Sequence, residues 1–190
     1  DRLISFDGAV MPAFKSFDTY GRVIYSGSTS KTIAPGLRVG WLIADEGSIQ
    51  KLVYLKMRDD LQVNNMAQRQ VFHYFRDCGF DDHLRQVIQV YRQRRDTMIH
   101  AVKESFPEGT RVIVPGGGLF LWVELPEELD TLEMFDFVFQ KNIAYVPGTF
   151  FCPDGGGKNT MRLNFSTTSE EKIAEYIPIL GEMICQFCHQ

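Results

Sequence analysis

The sequence has little of what marks a nucleic-acid-binding or membrane-spanning protein. Its 20 lysines and arginines are outnumbered by 24 aspartates and glutamates, and they form no run of five or six basic residues. No apolar run approaches the roughly 18 residues that a membrane span requires. The opening residues also lack the basic and then apolar pattern of a signal peptide. These absences predict a cytoplasmic protein that binds neither nucleic acid nor a membrane.

Potential metal ligands are also sparse. The four cysteines show no zinc-type spacing, because Cys185 and Cys188 have no second pair in step with them. Reduced thiols and no metal site are therefore expected. No metal or catalytic role is assigned to the histidines, which are His73, His83, His100 and His189.

Apolar residues are plentiful, at 44% of a chain of 190, which is enough to bury a core. Their spacing favours strands, then helices, in the first part of the chain. The predicted elements there are strands at 22–26 and 38–44 and a helical stretch at 48–77 that is interrupted at Val63 to Asn65.

After residue 78 the pattern changes to a small mixed layer of helices and strands. A long amphipathic helix is predicted over 81–106, followed by strands at 111–114 and 119–125. Further on, the sequence predicts a helix at 131–142, strands at 143–146 and 160–166, and a last helix that begins with a capping box of Thr168 and Glu171.

The stretch VIYSGSTSKTIAPGLRVGW places Lys31 between two predicted strands, which are expected to carry it into the interior. A desolvated lysine is a nucleophile toward carbonyl groups. Ser28 and Ser30 offer hydroxyl groups for an anion, and the guanidinium of Arg38 suits a phosphate. A lysine that forms an imine beside a phosphate cup indicates pyridoxal phosphate, although a Ser-x-Ser-Lys string alone is more often a solvated turn.

A second candidate is Arg162, which stands in the predicted strand NTMRLNFS among apolar neighbours. A buried guanidinium without a partner costs several kcal/mol, so Arg162 should be either paired or functional. The residues alone favour a structural salt bridge. The arginine-rich segment YRQRRD, residues 91–96, is interpreted as a solvated helix face.

Four strings resemble, in the same order, segments of the fold type I pyridoxal phosphate-dependent aminotransferases of class I and II, most like the aminoadipate and aromatic group. They are YSGSTSKTIAPGLRVGW, PGGGLFLWVELP, YVPGTFF and NTMRLNFS. The resemblance implies an α/β fold. Residues 1–78 would be the C-terminal part of the large mixed-sheet domain, which binds the cofactor, and residues 79–190 the small α+β domain.

The resemblance also implies the role of each site residue. Lys31 would form the imine with pyridoxal 5′-phosphate and later move a proton, and Ser28, Ser30 and Arg38 would hold the cofactor phosphate. Arg162 would bind the α-carboxylate of the substrate. Amino acids and 2-oxo acids are the implied substrates, and a homodimer is the implied assembly of the parent protein.

The resemblance covers only the C-terminal half of such an enzyme, so we expect a C-terminal region that is inactive by itself and has unpaired strand edges. An alternative is the aminotransferase-like, effector-sensing domain of a GntR/MocR-type transcription regulator, which keeps the same lysine loop. A third interpretation is a scaffold domain with a decayed site, but the intact lysine and both arginines argue against it.

Overall fold

A computed structural model describes residues 3–8 and 11–188, so His189 lies outside the described residues. It divides the chain into two compact units, the first ending at Val87 and the second beginning at Ile88. Both units combine helices with short strands, which confirms the predicted α/β class. The division into domains 1–78 and 79–190 stays a prediction.

The first unit carries a two-stranded antiparallel sheet and two helices. Its elements are β1 (Tyr25–Ser28), β2 (Gly40–Ile43), α1 (Glu46–Asp59) and α2 (Asn65–Asp77), with 3-10 turns at Phe14–Phe17 and Pro35–Leu37. The strands pair from Tyr25 with Ile43 to Ser28 with Gly40. Each strand has one edge without a ladder partner among the described residues.

The strand predicted at 22–26 begins later than expected, at Tyr25. The cause is the carboxylate of Asp18, which accepts hydrogen bonds from the backbone N–H groups of Arg22 at 3.0 Å and Val23 at 3.1 Å. These donors are therefore used by a local turn and do not enter the sheet.

Side-chain caps define where α1 and α2 begin. Asp45 accepts a hydrogen bond from the backbone N–H of Ser48. Asn64 accepts from the backbone N–H groups of Met66 and Ala67, at 2.8 and 3.2 Å. Both are the short polar caps that satisfy free N–H groups at a helix start. The break predicted at Val63 to Asn65 is confirmed.

A third helix, α3 (Phe80–Ser105), begins in the first unit and ends in the second. It confirms the long amphipathic helix predicted over 81–106. The second unit adds a four-stranded antiparallel sheet in the order β3-β4-β6-β5, two helices and a 3-10 turn. Its elements are β3 (Arg111–Ile113), β4 (Phe120–Glu124), α4 (Phe135–Phe139), β5 (Val146–Pro147), the turn Gly148–Phe151, β6 (Thr160–Asn164) and α5 (Glu170–Phe187).

The helix predicted at 131–142 is much shorter than expected. Thr131 is fully buried, and its N–H and hydroxyl group both donate to the carbonyl oxygen of Lys158. Its carbonyl accepts from the hydroxyl of Tyr145 at 2.7 Å. These contacts hold Thr131 in a loop, and α4 begins only at Phe135.

The ends of two other predicted elements also differ. The strand predicted at 143–146 is reduced to Val146–Pro147, and Asn142, just before the predicted strand, has a left-handed φ of 58°. The last helix begins one position later than the predicted capping box, since the N-cap is Ser169 and not Thr168. The Oγ of Ser169 accepts a hydrogen bond from the backbone N–H of Lys172 at 3.5 Å.

The core of the second unit lies between its sheet and α5. Fully buried apolar side chains alternate along β4 and β6 and repeat at helical spacing on α5, namely Leu121, Val123, Met161, Leu163, Ile173, Leu180 and Ile184. No helix in the described part of the chain is long and apolar enough to cross a membrane.

Candidate functional site

Lys31 lies in the loop that joins β1 to β2, and Thr29 closes this loop. Thr29 is fully buried, and its N–H and Oγ1 both donate to the carbonyl oxygen of Val39, at 3.1 and 3.0 Å. Its own carbonyl accepts from the N–H groups of Ile33 at 2.9 Å and Ala34 at 3.2 Å. The lysine loop, residues 29–39, is therefore a hydrogen-bonded turn.

The side chain of Lys31 is exposed, which corrects the expectation that flanking strands carry it into the interior. Strand β1 ends at Ser28, and the turn then leads the chain away from the sheet. Among residues 3–8 and 11–188, the amine has no hydrogen-bond or ion-pair partner. A free amine in this place is accessible to an incoming carbonyl compound.

The three predicted phosphate ligands line one cavity of about 570 Å³, whereas Lys31, which follows Ser30 in sequence, is not among the residues that line it. The Oγ of Ser28 donates to the Oγ of Ser30 at 2.9 Å and accepts from the N–H of Ser30 at 3.1 Å. Arg38 uses its Nη1 on the carbonyl of Pro35 at 3.2 Å, which leaves its other donors for a ligand. Hydroxyl and guanidinium donors on one cavity wall suit an anion such as a phosphate ester.

A glycine in the lining of this cavity lets β1 and β2 lie close together. A Cβ at Gly40 would lie 2.9 Å from the carbonyl oxygen of Gly27, so no other residue fits there without a shift. A second cation, Lys56 of α1, also lines the cavity. The ammonium of Lys56 is paired with Asp60 at 2.7 Å, and no motif in the sequence pointed to it.

Arg162 occupies the middle of β6, opposite Trp122 of β4 and Val146 of β5. Its guanidinium carbon lies 4.1 Å from the centre of the Phe120 ring and 4.5 Å from the centre of the Phe151 ring. Such ring faces stabilise a cation through their quadrupoles. The cation of Arg162 thus lies close to two aromatic rings.

The salt bridge that the residues alone favoured for Arg162 is not observed in the described part of the chain. Its Nε is buried and has no hydrogen-bond partner among those residues. The reason is that aromatic rings, not carboxylates, face the side chain. A guanidinium in this state is suited to receive a carboxylate through two parallel hydrogen bonds.

Two neighbouring arginines of α3 bind the loop that follows β6 and the loop that precedes β4. The Nη1 of Arg94 donates to the carbonyl oxygen of Ser166, just after β6, at 2.5 Å. The Nη1 of Arg95 donates to the carbonyl oxygen of Pro115, ahead of β4, at 2.9 Å. The prediction of a solvated face is therefore wrong for Arg94 and Arg95. Their acceptors lie 72 and 20 residues away, which a one-segment pattern does not reveal.

The predicted site residues thus fall in both units. The first unit contains Lys31 and the three residues of the cavity wall, and the second contains Arg162 with its aromatic rings. No cluster of potential metal ligands occurs within 3–8 and 11–188.

Comparison with known proteins gives consistent matches. A family model described as aminotransferase class I and II matches residues 7–180. The aromatic-amino-acid aminotransferase 1 of Thermococcus litoralis is 41% identical over 181 residues, which are 95% of this chain and 43% of that protein. The HTH-type transcriptional regulator NorG of Staphylococcus aureus is 31% identical over 163 residues, which are 85% of this chain and 36% of that protein.

Solved structures match as well. LysN, the alpha-aminoadipate aminotransferase of Thermus thermophilus, was crystallised with N-(5'-phosphopyridoxyl)-L-leucine and superimposes with a TM-score of 0.93 at 36% identity. The match covers 99% of this chain and 49% of LysN. The chain spans about half the length of the aminotransferases that it matches.

Proposed function

Because the chain belongs to the aminotransferases of class I and II, we propose that it forms the lysine-bearing and carboxylate-binding part of a pyridoxal 5′-phosphate-dependent aminotransferase. The reaction transfers an amino group between an amino acid and a 2-oxo acid. The observation that carries the proposal is the cavity of about 570 Å³ on which Ser28, Ser30 and Arg38 converge, next in sequence to the free amine of Lys31.

The residues present fit this cofactor. When bound, pyridoxal phosphate withdraws electrons from the α-carbon of an amino acid. Ser28, Ser30 and Arg38 would hold its phosphate through their hydroxyl and guanidinium groups. The Nζ of Lys31 would hold the cofactor at its aldehyde group, and the amine would accept and return the proton at the substrate α-carbon.

Arg162 binds the α-carboxylate of the substrate in this proposal. The aromatic rings near its guanidinium offer no acceptor to its N–H groups, which point outward in the plane of the group and suit a carboxylate. Phe120 and Phe151 also favour an apolar or aromatic substrate side chain. This agrees with aromatic substrates, the type that the name of the Thermococcus litoralis relative carries.

The cellular setting is part of the same proposal. The parent protein acts in the cytoplasm as a homodimer, as the family resemblance implies. The 190 residues alone do not catalyse the transfer, because Lys31 is exposed to water among them and catalytic lysines work in sites that exclude water.

Borohydride trapping tests the assignment of the lysine. The protein is incubated with pyridoxal 5′-phosphate, reduced, digested and mapped by mass spectrometry. Lys31 is expected to carry most of the label, and Lys31→Ala to lose it. Lys56→Gln, which alters the other lysine of the cavity, should keep the label on Lys31. Labelling that spreads evenly over the exposed lysines, or that persists unchanged in Lys31→Ala, would overturn the proposal.

The second candidate function is the effector-sensing domain of a transcription regulator. The 31% identity to NorG favours it, since the match includes the lysine loop region. A regulator would bind the cofactor through Lys31 without producing a 2-oxo acid from any amino acid. Assaying 2-oxo acid formation by the parent protein therefore separates the two functions, and a winged-helix segment encoded upstream of Asp1 would identify the regulator.

A further inference from the structure

One histidine of α3 is hydrogen-bonded to the lysine loop. The Nε2 of His83 lies 3.1 Å from the carbonyl oxygen of Thr32, the residue that follows Lys31. A carbonyl oxygen accepts and does not donate, so the ring must carry its proton on Nε2. The bond connects residues that are 51 positions apart.

His83 and Thr32 both lie in restricted surroundings. The ring of Tyr74, on α2, meets the ring of His83 edge to face, with 5.8 Å between the centres. Thr32 is only 5% exposed, so water has little access to replace the histidine. A carbonyl that loses its partner in such a place is left unsatisfied, which is costly.

The bond also adds a second hold on a peptide group of the lysine loop whose N–H alone is bonded within the loop. Thr29 holds Val39 at one end of the loop and Ile33 and Ala34 in its middle through backbone groups. The carbonyl of Thr32 points away from this set, toward α3. The N–H side of the peptide group between Thr32 and Ile33 donates to Thr29, and His83 holds its carbonyl side, so without His83 only one of its two polar groups is bonded.

We propose that His83 is a positioning residue of the lysine loop. Its Nε2–H holds the Thr32 carbonyl, and through the backbone it sets the direction in which the side chain of Lys31 leaves the turn. A contribution of His83 to catalysis rests on the role proposed above for Lys31. The hydrogen bond that anchors Thr32 to His83 does not depend on that role. His83 acts through the backbone and does not touch the reacting atoms.

Two substitutions of His83, whose side chains place an amide donor at different distances from Thr32, test the proposal. His83→Gln places an amide donor where Nε2 lies, and His83→Asn places it where Nδ1 lies, too short to reach Thr32. Amide hydrogen exchange of Ile33 and Ala34 is measured by NMR. The exchange rates should match in wild type and His83→Gln, and rise about fivefold in His83→Asn, the effect of one ordinary hydrogen bond.

A matched control is His100, which lies on the same helix, is exposed and pairs with Glu104. His100→Asn should leave the exchange of Ile33 and Ala34 unchanged. Equal exchange rates in wild type, His83→Gln and His83→Asn would overturn the anchor. So would a loss of protection that is the same in both His83 variants.

A measurement on the unmodified protein keeps the proposal testable if a variant fails to fold. Nitrogen-15 spectra should show neutral His83 as the Nε2–H tautomer, and an Nδ1–H tautomer would overturn the anchor. Borohydride labelling is run alongside, and His83→Asn should label Lys31 about fivefold more slowly, with the rate restored in His83→Gln. Failure to label wild type counts against the function of Lys31, while the exchange data still decide the role of His83.

Discussion

The guanidinium carbon of Arg162 lies 4.1 Å from the ring centre of Phe120, with Phe151 at 4.5 Å. The rings stabilise the positive charge but offer no lone pairs to its N–H groups. The buried Nε accordingly has no hydrogen-bond partner among the described residues. The arrangement holds a cation in a fixed orientation and leaves its hydrogen-bonding capacity for a ligand.

Arg162→Gln should weaken the binding of 2-oxo acids by roughly tenfold or more, because a hydrogen bond to a charged group contributes about 1.5–3 kcal/mol. The chain has two tryptophans. In a Trp41→Phe background, Trp122 therefore remains as a reporter, and its ring meets Phe151 edge to face at 5.5 Å. Fluorescence titration with a 2-oxo acid gives the dissociation constant.

The matched control for that experiment is Arg111→Gln, since Arg111 lies on β3, is 74% exposed and faces Glu124. Arg111→Gln should bind the 2-oxo acid with the same affinity as the protein that keeps Arg111. Unchanged affinity in Arg162→Gln would remove the carboxylate role.

Arg94→Met should lower the free energy of unfolding by about 1–3 kcal/mol, because it leaves the Ser166 carbonyl without its donor. Met keeps much of the apolar volume of the arginine stem, so the loss reports the hydrogen bond more than packing. Urea unfolding followed by Trp122 fluorescence measures the change. Arg92→Met, an exposed change on the same helix, should stay within about 0.5 kcal/mol of the parent, and an equal loss in both variants would contradict the assignment.

Asp18 should make the stability of the protein depend on acid pH. Its side chain is 3% exposed and bonds to the ammonium of Lys15 and to three backbone N–H groups, which holds the pKa of this carboxyl well below its ordinary value. A lowered folded-state pKa adds stability above the unfolded-state pKa of about 4, and that stability is lost as the pH falls through the folded-state pKa. Asp18→Asn should therefore lower Tm at pH 7 and make progressively less difference below pH 4.

Thermal unfolding of both proteins between pH 3 and 7 tests this expectation. Glu108→Gln, an exposed change in the turn after α3, serves as the control and should not alter Tm anywhere in this pH range. A Tm difference for Asp18→Asn that is the same at every pH would show that the carboxylate charge is not the cause.

Gly181→Ala should destabilise the protein although alanine is the better helix former. Gly181 is buried on α5, and an added Cβ would overlap the carbonyl group of Ser105 at the end of α3. Overpacking of this kind costs about 1–3 kcal/mol, which exceeds the roughly 1 kcal/mol gained in helix propensity. Urea unfolding measures it, with Gly36→Ala as control because an added Cβ meets nothing there. If Gly181→Ala were as stable as the unsubstituted protein, the prediction would be wrong, and α5 would be able to move away from the end of α3 at little cost.

Elements with a long periodic pattern could be predicted from the sequence. Helix α3 and strand β4 follow their apolar spacing closely, and Asn64 marked the start of α2. The predictions failed where the backbone N–H groups donate to acceptors outside the predicted element. Asp18 takes the N–H groups that would have begun β1, and Thr131 is held by Lys158.

The candidate site divides in the same way. The convergence of Ser28, Ser30 and Arg38 on one cavity is what their spacing around a loop predicts. The exposure of Lys31 was not predicted, because the strand was expected to continue toward it. The rings around Arg162 also could not be predicted, since Phe120 and Phe151 come from separate segments that only the fold brings together.

Arg38 has a backbone conformation that favours other residue types. Its backbone is left-handed, with φ 53° and ψ 36°, which disfavours arginine by roughly 1–2 kcal/mol relative to glycine. Glycine or asparagine would relax the turn and discard the forked cation, whereas lysine would keep the charge but neither the fork nor the relief. The turn thus gives up backbone stability at the one residue whose forked donors line the cavity beside Ser28 and Ser30.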